Sequence, residues 1–262
     1  ARDSGLSAVF DMPNTDPPIT SREIVLDRLK LAKEANVPGV FYGIYIGLTA
    51  DVEQVKRAVE ICREFKNVVG MKLYAGHSVG NLGVIKPEDQ QIIYETLSKE
   101  GYEGVLVVHA EKESFIRSSL WSHDKPITHC YARPEEAEIE SLNDQLSFLI
   151  ETRFGGKLHV AHISSSRAVD LLVDAKSRGV DVSCGICPHH FIYDWNQMCA
   201  EDGILWKMNP PLRSSKSKEE IFDYLKTGKI DWIETDHAPH SLEEKINKPY
   251  MSGIPGIAWW PL

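Results

Sequence analysis

The stretch "KLHVAHI" (157–163) places a histidine, His162, near the end of a short run of strand-forming residues. The same arrangement recurs in three further runs: "NVVGMKLY" (67–74) with Lys72, "GVLVVHA" (104–110) with His109 and "DWIETD" (231–236) with Asp236. Short apolar runs bounded by polar residues predict buried strands. The fold of this chain is therefore expected to place a titratable or metal-binding side chain at each of four strand ends.

Helical segments separate these strands along the whole chain. Three more apolar runs predict strands: "LSAVFDM" (6–12), "VFYGIYIGL" (40–48) and "VDVSCGI" (180–186). Between the seven strands, apolar residues recur at helical spacing, and four helix starts are predicted: capping boxes at Thr20–Glu23 and Ser217–Glu220, and prolines at the first helical position, Pro87 and Pro134. Regular alternation of strands and helices predicts a parallel sheet in an α/β protein.

Two parallel-sheet folds compete for this pattern. A dinucleotide-binding fold requires a glycine-rich turn after its first strand, and "FDMPNTDPP" (10–18) contains no glycine. A (β/α)8 TIM barrel fits better, although it has eight strands and seven are predicted. Because the sequence opens almost directly on a strand, we expect strands two to eight of the barrel in a single domain over 1–262, incomplete at both ends.

Composition excludes several classes of function. The chain has a net charge of −9 and contains no basic runs. This combination argues against nucleic acid and anionic membranes as partners. No apolar run reaches the roughly 18–20 residues of a membrane span, and no signal peptide is recognised at the start. Five cysteines suggest reduced thiols in a cytoplasmic protein. Cys184 and Cys187 have zinc or redox spacing, but two small residues on a buried strand is the favoured interpretation.

The four strand ends predict one site. Barrel enzymes carry their reactive groups at the carboxyl ends of the strands. Imidazole and carboxylate groups bind Zn²⁺, and two metal ions can polarise a carbonyl and generate hydroxide near neutral pH. An aspartate such as Asp236 can bind metal and act as general base. The ammonium of Lys72 would repel the ions, so this lysine either pairs with a carboxylate or is modified into an anion.

Seven segments, in order along nearly the whole chain, resemble one family. They are "DMPNTDPP" (11–18), "MKLYAG" (71–76), "VVHAE" (107–111), "HVAHIS" (159–164), "CPHH" (187–190), "NPPLR" (209–213) and "TDHAPH" (235–240). The chain resembles the amidohydrolase superfamily and, within it, the dihydroorotases of pyrimidine biosynthesis. Each segment alone is moderately specific, and the set in this order is highly specific.

The resemblance implies a role for each matching residue. Lys72 would be carboxylated and bridge two zinc ions, which resolves its charge. His109 and His162 would bind the second zinc, and Asp236 would bind the first and serve as catalytic acid or base. The ring and carboxylate of the substrate would be held by four residues: Asn14, Asn209, His240 and Gly253. The implied reaction interconverts N-carbamoyl-L-aspartate and L-dihydroorotate.

The chain departs from the family in one respect. The family's first strand carries a His-x-His pair that binds the first zinc, and no His-x-His occurs in these 262 residues. This chain alone is therefore expected to bind the first zinc poorly. Two alternatives stay open: a hydantoinase, dihydropyrimidinase or allantoinase, against which Asn14 and "KLY" (72–74) argue, and a non-catalytic homologue that acts as a structural partner.

Some assignments are left open by the sequence. His189, His190 and Arg213 each either contact the site or serve a structural role, and His237 is expected to turn away from the site next to Asp236. The family implies a small-molecule substrate. The expected protein partners are a second copy of the chain, in a homodimer, or aspartate transcarbamoylase.

Overall fold

The computed structural model describes residues 5–77 and 81–259. The strands in this part of the chain are β1 (Ala8–Asp11), β2 (Phe41–Gly47), β3 (Val68–Ala75), β4 (Val105–Ala110), β5 (Lys157–Val160), β6 (Val182–Ile186) and β7 (Trp232–Ile233). The α-helices are α1 (Arg22–Ala35), α2 (Val52–Glu64), α3 (Pro87–Lys99), α4 (Thr128–Ala132), α5 (Glu135–Glu151), α6 (Ser166–Ser177), α7 (Pro188–Ile192), α8 (Ser215–Lys226) and α9 (Leu242–Ile246). The strand order is the chain order, β1 to β7.

The described residues form two compact units. The first contains 5–77, 81–109 and 145–159, and the second contains 110–144 and 160–259. The single domain over 1–262 stays a prediction. The described part of the chain has no helix whose length and hydropathy would let it cross a membrane.

Parallel pairing organises the first unit. Ala8 of β1 lies opposite Phe41 of β2, and β2 pairs with β3 in the same direction. Ile44 and Ile46 of β2 and Leu73 of β3 are fully buried, as expected for a parallel sheet with both faces covered. Behind the sheet, the Tyr94 hydroxyl of α3 donates to Gln145 Oε1 of α5 at 2.9 Å, so this buried phenol has a hydrogen-bond partner.

In the second unit, β6 pairs with β7 in parallel. Gly185 of β6 lies opposite Trp232 of β7, and the backbone N–H of Ile163 donates to Gly185 O at 2.8 Å. A separate apolar cluster lies after β6 and is made of Met208, Leu212 and Ile254, with three aromatic side chains packed against it: Tyr193, Trp195 and Trp206.

Of the four predicted helix starts, the one at Pro87 is confirmed and the other three are displaced along the chain. Pro87 is the first residue of α3, as predicted, and α5 begins one residue after Pro134. The N-cap of α1 is Ser21 rather than Thr20, and its side chain makes no cap hydrogen bond. The N-cap of α8 is Ser214, whose side chain accepts from the N–H of Ser217. The hydroxyl of Ser217 instead accepts from the N–H of Ser166, a contact between helices that the local pattern does not contain.

The two strands that precede His162 and Asp236 are shorter than predicted. β5 ends at Val160 and β7 at Ile233. His162 and Asp236 both have a left-handed backbone, with φ of 42° and 40°. Few residues other than glycine adopt this conformation, and it cannot continue a strand. These two side chains therefore project from turns just beyond the strands.

Candidate functional site

Lys72 and His109 lie in the first unit, near the carboxyl ends of β3 and β4. Both are almost completely buried, with 2% and 1% of their surface exposed. The Tyr74 ring lies beside both: its centroid is 5.2 Å from Lys72 Nζ and 6.1 Å from the centre of the His109 ring. Lys72 Nζ is thus buried against an aromatic ring and close to His109.

His162 and Asp236 lie in the second unit. The backbone N–H of His162 donates to Glu234 Oε1, and the N–H of Glu234 donates to Ile186 O at 3.0 Å. The Glu234 carboxylate passes over Gly185 on its way to His162, because a Cβ on Gly185 would lie 2.5–2.7 Å from that carboxylate. Glu234 therefore holds the turn that carries His162, a role that the sequence reasoning missed. The clue available in the sequence was Gly185 on β6, the strand between β5 and β7.

The four predicted metal ligands are thus divided equally, two in each unit. Each lies in or just after one of the four predicted strands. Their assembly into one metal site, and the general-base role of Asp236, stay predictions.

Three of the four predicted substrate residues lie in the second unit. His240 Nε2 donates to Ser252 O at 3.2 Å, and a Cβ on Gly253 would lie 3.1 Å from the same nitrogen. Gly253 has a φ of 141°, so its backbone requires glycine. Asn209 lies earlier in the chain, just after Lys207, whose O accepts from the N–H of Gly253 at 2.9 Å. Asn14 is exposed in the first unit, just after β1. The structure brings His240 and Gly253 together.

Two lysines that the sequence reasoning missed hold the Gly253 loop. Lys207 Nζ donates to Tyr250 O at 2.6 Å and to Ser252 Oγ at 2.7 Å. Lys245 Nζ donates to Lys207 O and Gly253 O, both at 2.8 Å. Burial lowers the pKa of each lysine to about 8, with nearby Arg133 adding to the effect at Lys207 and Lys207 itself at Lys245. These lysine hydrogen bonds add to the backbone hydrogen bond from the N–H of Gly253 to Lys207 O, at 2.9 Å, in fixing the loop.

A buried histidine outside all the predicted motifs supports Asn209. His129 Nε2 donates to Met208 O at 3.0 Å and to Asn209 Oδ1 at 3.1 Å. Burial, with the positive charges of Lys207 and Arg133, lowers the pKa of His129 to about 3. The neutral imidazole thus orients the amide that was predicted to contact substrate.

Three potential metal ligands come together where β6 ends. Cys187, His189 and His190 each offer one ligand atom, and these atoms lie within 4.8 Å of one another. Cys184 is buried on β6, as favoured from the sequence, while Cys187 joins the two histidines instead. Burial lowers the pKa of His190 to about 4, with Arg213 adding to the effect and carboxylates opposing it.

Arg213 and His237 make structural contacts. Arg213 Nε donates to Ser164 Oγ at 2.8 Å, and its NH1 group donates to Arg133 O at 2.6 Å. His237 is exposed, and its Nδ1 accepts from the N–H of Ile257 at 3.2 Å. Each side chain thus fastens a loop.

The buried histidines predict a loss of stability in mild acid. His129 and His190 have folded-state pKa values of about 3 and about 4, below the ordinary value of 6.5. The unfolded chain therefore takes up protons first, so their contribution is complete above pH 6.5 and declines as the pH falls towards the folded values. At pH 5 each histidine is expected to cost about 2 kcal/mol of unfolding free energy.

Urea unfolding at pH 7.5 and pH 5 tests this effect. His129→Gln is expected to reduce the difference in unfolding free energy between the two pH values by about 2 kcal/mol. His123→Gln, which removes a half-exposed histidine, is the control for the loss of one imidazole. An unchanged difference in the His129 variant would contradict the prediction.

Comparison with curated proteins finds relatives along nearly the whole chain. A dihydroorotase of Brevibacillus brevis is 33% identical over 251 residues, which are 93% of this chain and 55% of that protein. A dihydroorotase of Methanosarcina mazei is 31% identical over 97% of this chain and 55% of that protein. An allantoinase of Deinococcus radiodurans is 30% identical over 97% of this chain and 56% of that protein. The chain thus spans about half the length of these relatives. No protein-family profile matches it.

Solved structures confirm the predicted fold class. An L-hydantoinase (dihydropyrimidinase) of Arthrobacter aurescens matches 98% of this chain with a TM-score of 0.85 and 24% identity, over 57% of its own length. A dihydroorotase of Saccharomyces cerevisiae, in complex with 5-fluoroorotic acid, matches 99% of this chain with a TM-score of 0.79 and 20% identity, over 70% of its length. The seven strands and their helices therefore have the fold of the corresponding part of a (β/α)8 barrel.

These likenesses confirm the resemblance that the seven sequence segments predicted. Most of the relatives described above are named dihydroorotase, and the others are named for related cyclic amides. Over nearly its whole length, the chain is therefore similar to about half of a dihydroorotase.

Proposed function

We propose that this chain is part of a dihydroorotase, which closes N-carbamoyl-L-aspartate to L-dihydroorotate and opens it again, as a step in pyrimidine biosynthesis in the cytoplasm. The observation that carries the proposal is the 33% identity to a dihydroorotase over 93% of the chain. The proposal is also supported by four residues of metal-binding type at strand ends: Lys72, His109, His162 and Asp236. A non-catalytic protein has no evident need for all four.

The donor set fits zinc. Imidazoles and a carboxylate are ordinary zinc ligands, and Lys72, which is buried beside His109 and the Tyr74 ring, would become an anionic ligand on carboxylation. Lys72, His109, His162 and Asp236 would hold two ions together with the family's His-x-His pair. When bound, the ions would polarise the ring carbonyl and supply hydroxide near neutral pH.

The remaining chemistry falls to the chain's own side chains. In ring opening, a water oxygen bonds to the carbonyl carbon and the ring C–N bond breaks. Asp236 would take the water's proton and return it to the ring nitrogen, which leaves the enzyme unchanged. Asn14, Asn209, His240 and the backbone of Gly253 would hold the ring and its carboxylate, with Lys207 and Lys245 fixing the Gly253 loop.

A second candidate function comes from the allantoinase of Deinococcus radiodurans, which is 30% identical to this chain. Allantoinase and hydantoinase share the reaction type with dihydroorotase but act on cyclic amides without the ring carboxylate of dihydroorotate. A site built to hydrogen-bond one substrate group rejects analogues that lack it by large factors. The substrate that turns over best therefore identifies the function.

We expect the full-length protein, loaded with zinc, to act on dihydroorotate with a kcat/KM at least about 10²-fold above those for allantoin, hydantoin and dihydrouracil. Ring opening of each compound is measured in one buffer. A preference for allantoin or hydantoin would replace the dihydroorotase assignment. Turnover of none of the four would favour the non-catalytic homologue, whose proposed partners are a second copy of the protein or aspartate transcarbamoylase.

A further inference from the structure

The Cys187, His189 and His190 cluster differs from the predicted zinc ligands in one chemical respect, because it contains a thiol. Its three residues follow β6 within four positions, and 0%, 0% and 3% of their surfaces are exposed. The Sγ atom and one nitrogen of each ring lie within 4.8 Å of one another. Among residues 5–77 and 81–259, this is the group of three or more metal-capable side chains that meets that distance.

The local backbone explains why the three side chains converge. Cys187 is extended, with φ of −91° and ψ of 147°, and it is the N-cap of α7. Pro188 fixes the first helical turn, so the chain turns sharply between Cys187 and the histidines. The two imidazole rings that follow lie with their centroids 4.4 Å apart at 60°. The cluster is thus formed by a rigid strand-to-helix turn.

The tautomer of His190 suits a metal ligand. Its Nε2 lies 3.1 Å from Pro210 O, and a carbonyl oxygen only accepts, so Nε2 carries the hydrogen. Nδ1 then has a free lone pair, and this buried atom has no hydrogen-bond partner in the described part of the chain. Histidines that bind metals usually donate their other ring N–H to a carbonyl or carboxylate, which fixes the ring.

The distances and the donor types select the class of ion. A tetrahedral zinc site, with bonds of about 2.0 Å to nitrogen and 2.3 Å to sulfur, places its ligand atoms about 3.5 Å apart. The three ligand atoms of the cluster, within 4.8 Å of one another, are close to that spacing. Thiolate and imidazole prefer zinc and similar transition metals to Mg²⁺ or Ca²⁺.

We propose that Cys187, His189 and His190 bind one divalent transition-metal ion of the zinc class, through Cys187 Sγ and one nitrogen of each imidazole. On binding, the Cys187 thiol loses its proton to solvent, a sulfur–metal bond forms and the two neutral imidazoles donate lone pairs, with no change in oxidation state. The ion would tie the end of β6 to the first turn of α7.

Cobalt titration of the full-length protein tests this site, because a thiolate bound to Co²⁺ gives a sulfur-to-metal charge-transfer band that nitrogen and oxygen ligands do not give. Lys72, His109, His162 and Asp236 contain no sulfur, so cobalt bound there is silent in this band. We expect one equivalent of cobalt to produce the band, and zinc to displace it. Absence of the band from the unsubstituted protein overturns the proposal.

Variants assign the band to the cluster. Cys187→Ser is expected to remove it, and His190→Gln to weaken cobalt binding at least about tenfold, the size of effect seen when even a supporting contact of a metal ligand is lost. Cys184→Ser, three residues earlier and equally buried, and Cys199→Ser, which removes an exposed thiol, should keep the band. Loss of the band in either control, with Cys187→Ser unaffected, overturns the assignment. If Cys187→Ser does not fold, the His190→Gln variant decides. An unchanged cobalt affinity in that variant, followed by the charge-transfer band, overturns the assignment.

Discussion

Asp236→Asn is expected to lower kcat/KM for dihydroorotate by about 10²- to 10⁴-fold in the full-length enzyme, the usual contribution of a general acid or base. The substitution removes the group that would accept and return the proton, while the amide keeps the size of the carboxylate. Its backbone cost is small, because Asp236 has a φ of 40° and asparagine is one of the residues that tolerate this conformation. The variant therefore separates chemistry from folding.

Asp231 provides the matched control at the opposite end of the same strand. It immediately precedes β7, where it accepts from the N–H of Cys184 at 2.8 Å and from Lys176 Nζ at 2.6 Å. In barrel enzymes the reacting groups lie at the carboxyl ends of strands, so Asp231→Asn should keep kcat/KM within a few-fold of the parent. Near-normal turnover in Asp236→Asn would refute its catalytic role. Equal losses in both variants would instead indicate a folding defect.

The apolar runs in the sequence were sufficient to predict all seven strands. Burial on both faces leaves such a run in the inner strands, whereas both residues of β7, Trp232 and Ile233, are exposed. It was not sufficient to predict where two of them end. His162 and Asp236 leave the strand through left-handed turns, and the sequence does not encode this, since the acceptor that holds His162 is a side chain 72 residues away, Glu234.

Helix starts show the same limit on a smaller scale. Ser214, Ser215 and Ser217 all suit the N-cap of α8, and the choice depends on a contact of Ser217 with Ser166, 51 residues earlier. For the candidate site, the resemblance of the motifs was sufficient to predict which residues at the strand ends are the candidate metal ligands. It gave no indication that Cys187 would meet His189 and His190, or that His129 would orient Asn209, because those contacts depend on side-chain packing.

The Glu111–Arg133 pair is expected to give the largest loss of stability from a single substitution. Arg133 Nε donates to both Glu111 oxygens, at 3.0 and 3.1 Å, and its NH2 group donates to Oε2 at 2.6 Å. The Glu111 side chain is fully buried and that of Arg133 is 11% exposed. Glu111→Gln leaves a guanidinium in the interior with a neutral partner, which should lower the unfolding free energy by about 3–5 kcal/mol.

A second pair of the same type provides the control. Arg22 Nε contacts both Glu64 oxygens, at 3.1 and 3.0 Å, and its NH2 group contacts Oε1 at 2.5 Å, but these side chains are 51% and 44% exposed. Water screens that pair, so Glu64→Gln should lower the unfolding free energy far less than Glu111→Gln does. Urea unfolding of both variants at one pH makes the comparison. Equal losses would mean that burial does not set the strength of these pairs.

A double variant distinguishes the attraction within the Glu111–Arg133 pair from the cost of burying it. Removing two charges from water is expensive, and replacing a buried pair with apolar side chains of similar volume is often neutral or stabilising. The charge of Arg133 also lowers the pKa of Lys207, so its removal should favour the charged form of that buried lysine. We therefore expect Glu111→Leu with Arg133→Met to unfold closer to the parent than Glu111→Gln does. A double variant less stable than the single one would mean that the pair is itself strongly stabilising, beyond the penalty of leaving one charge unpaired.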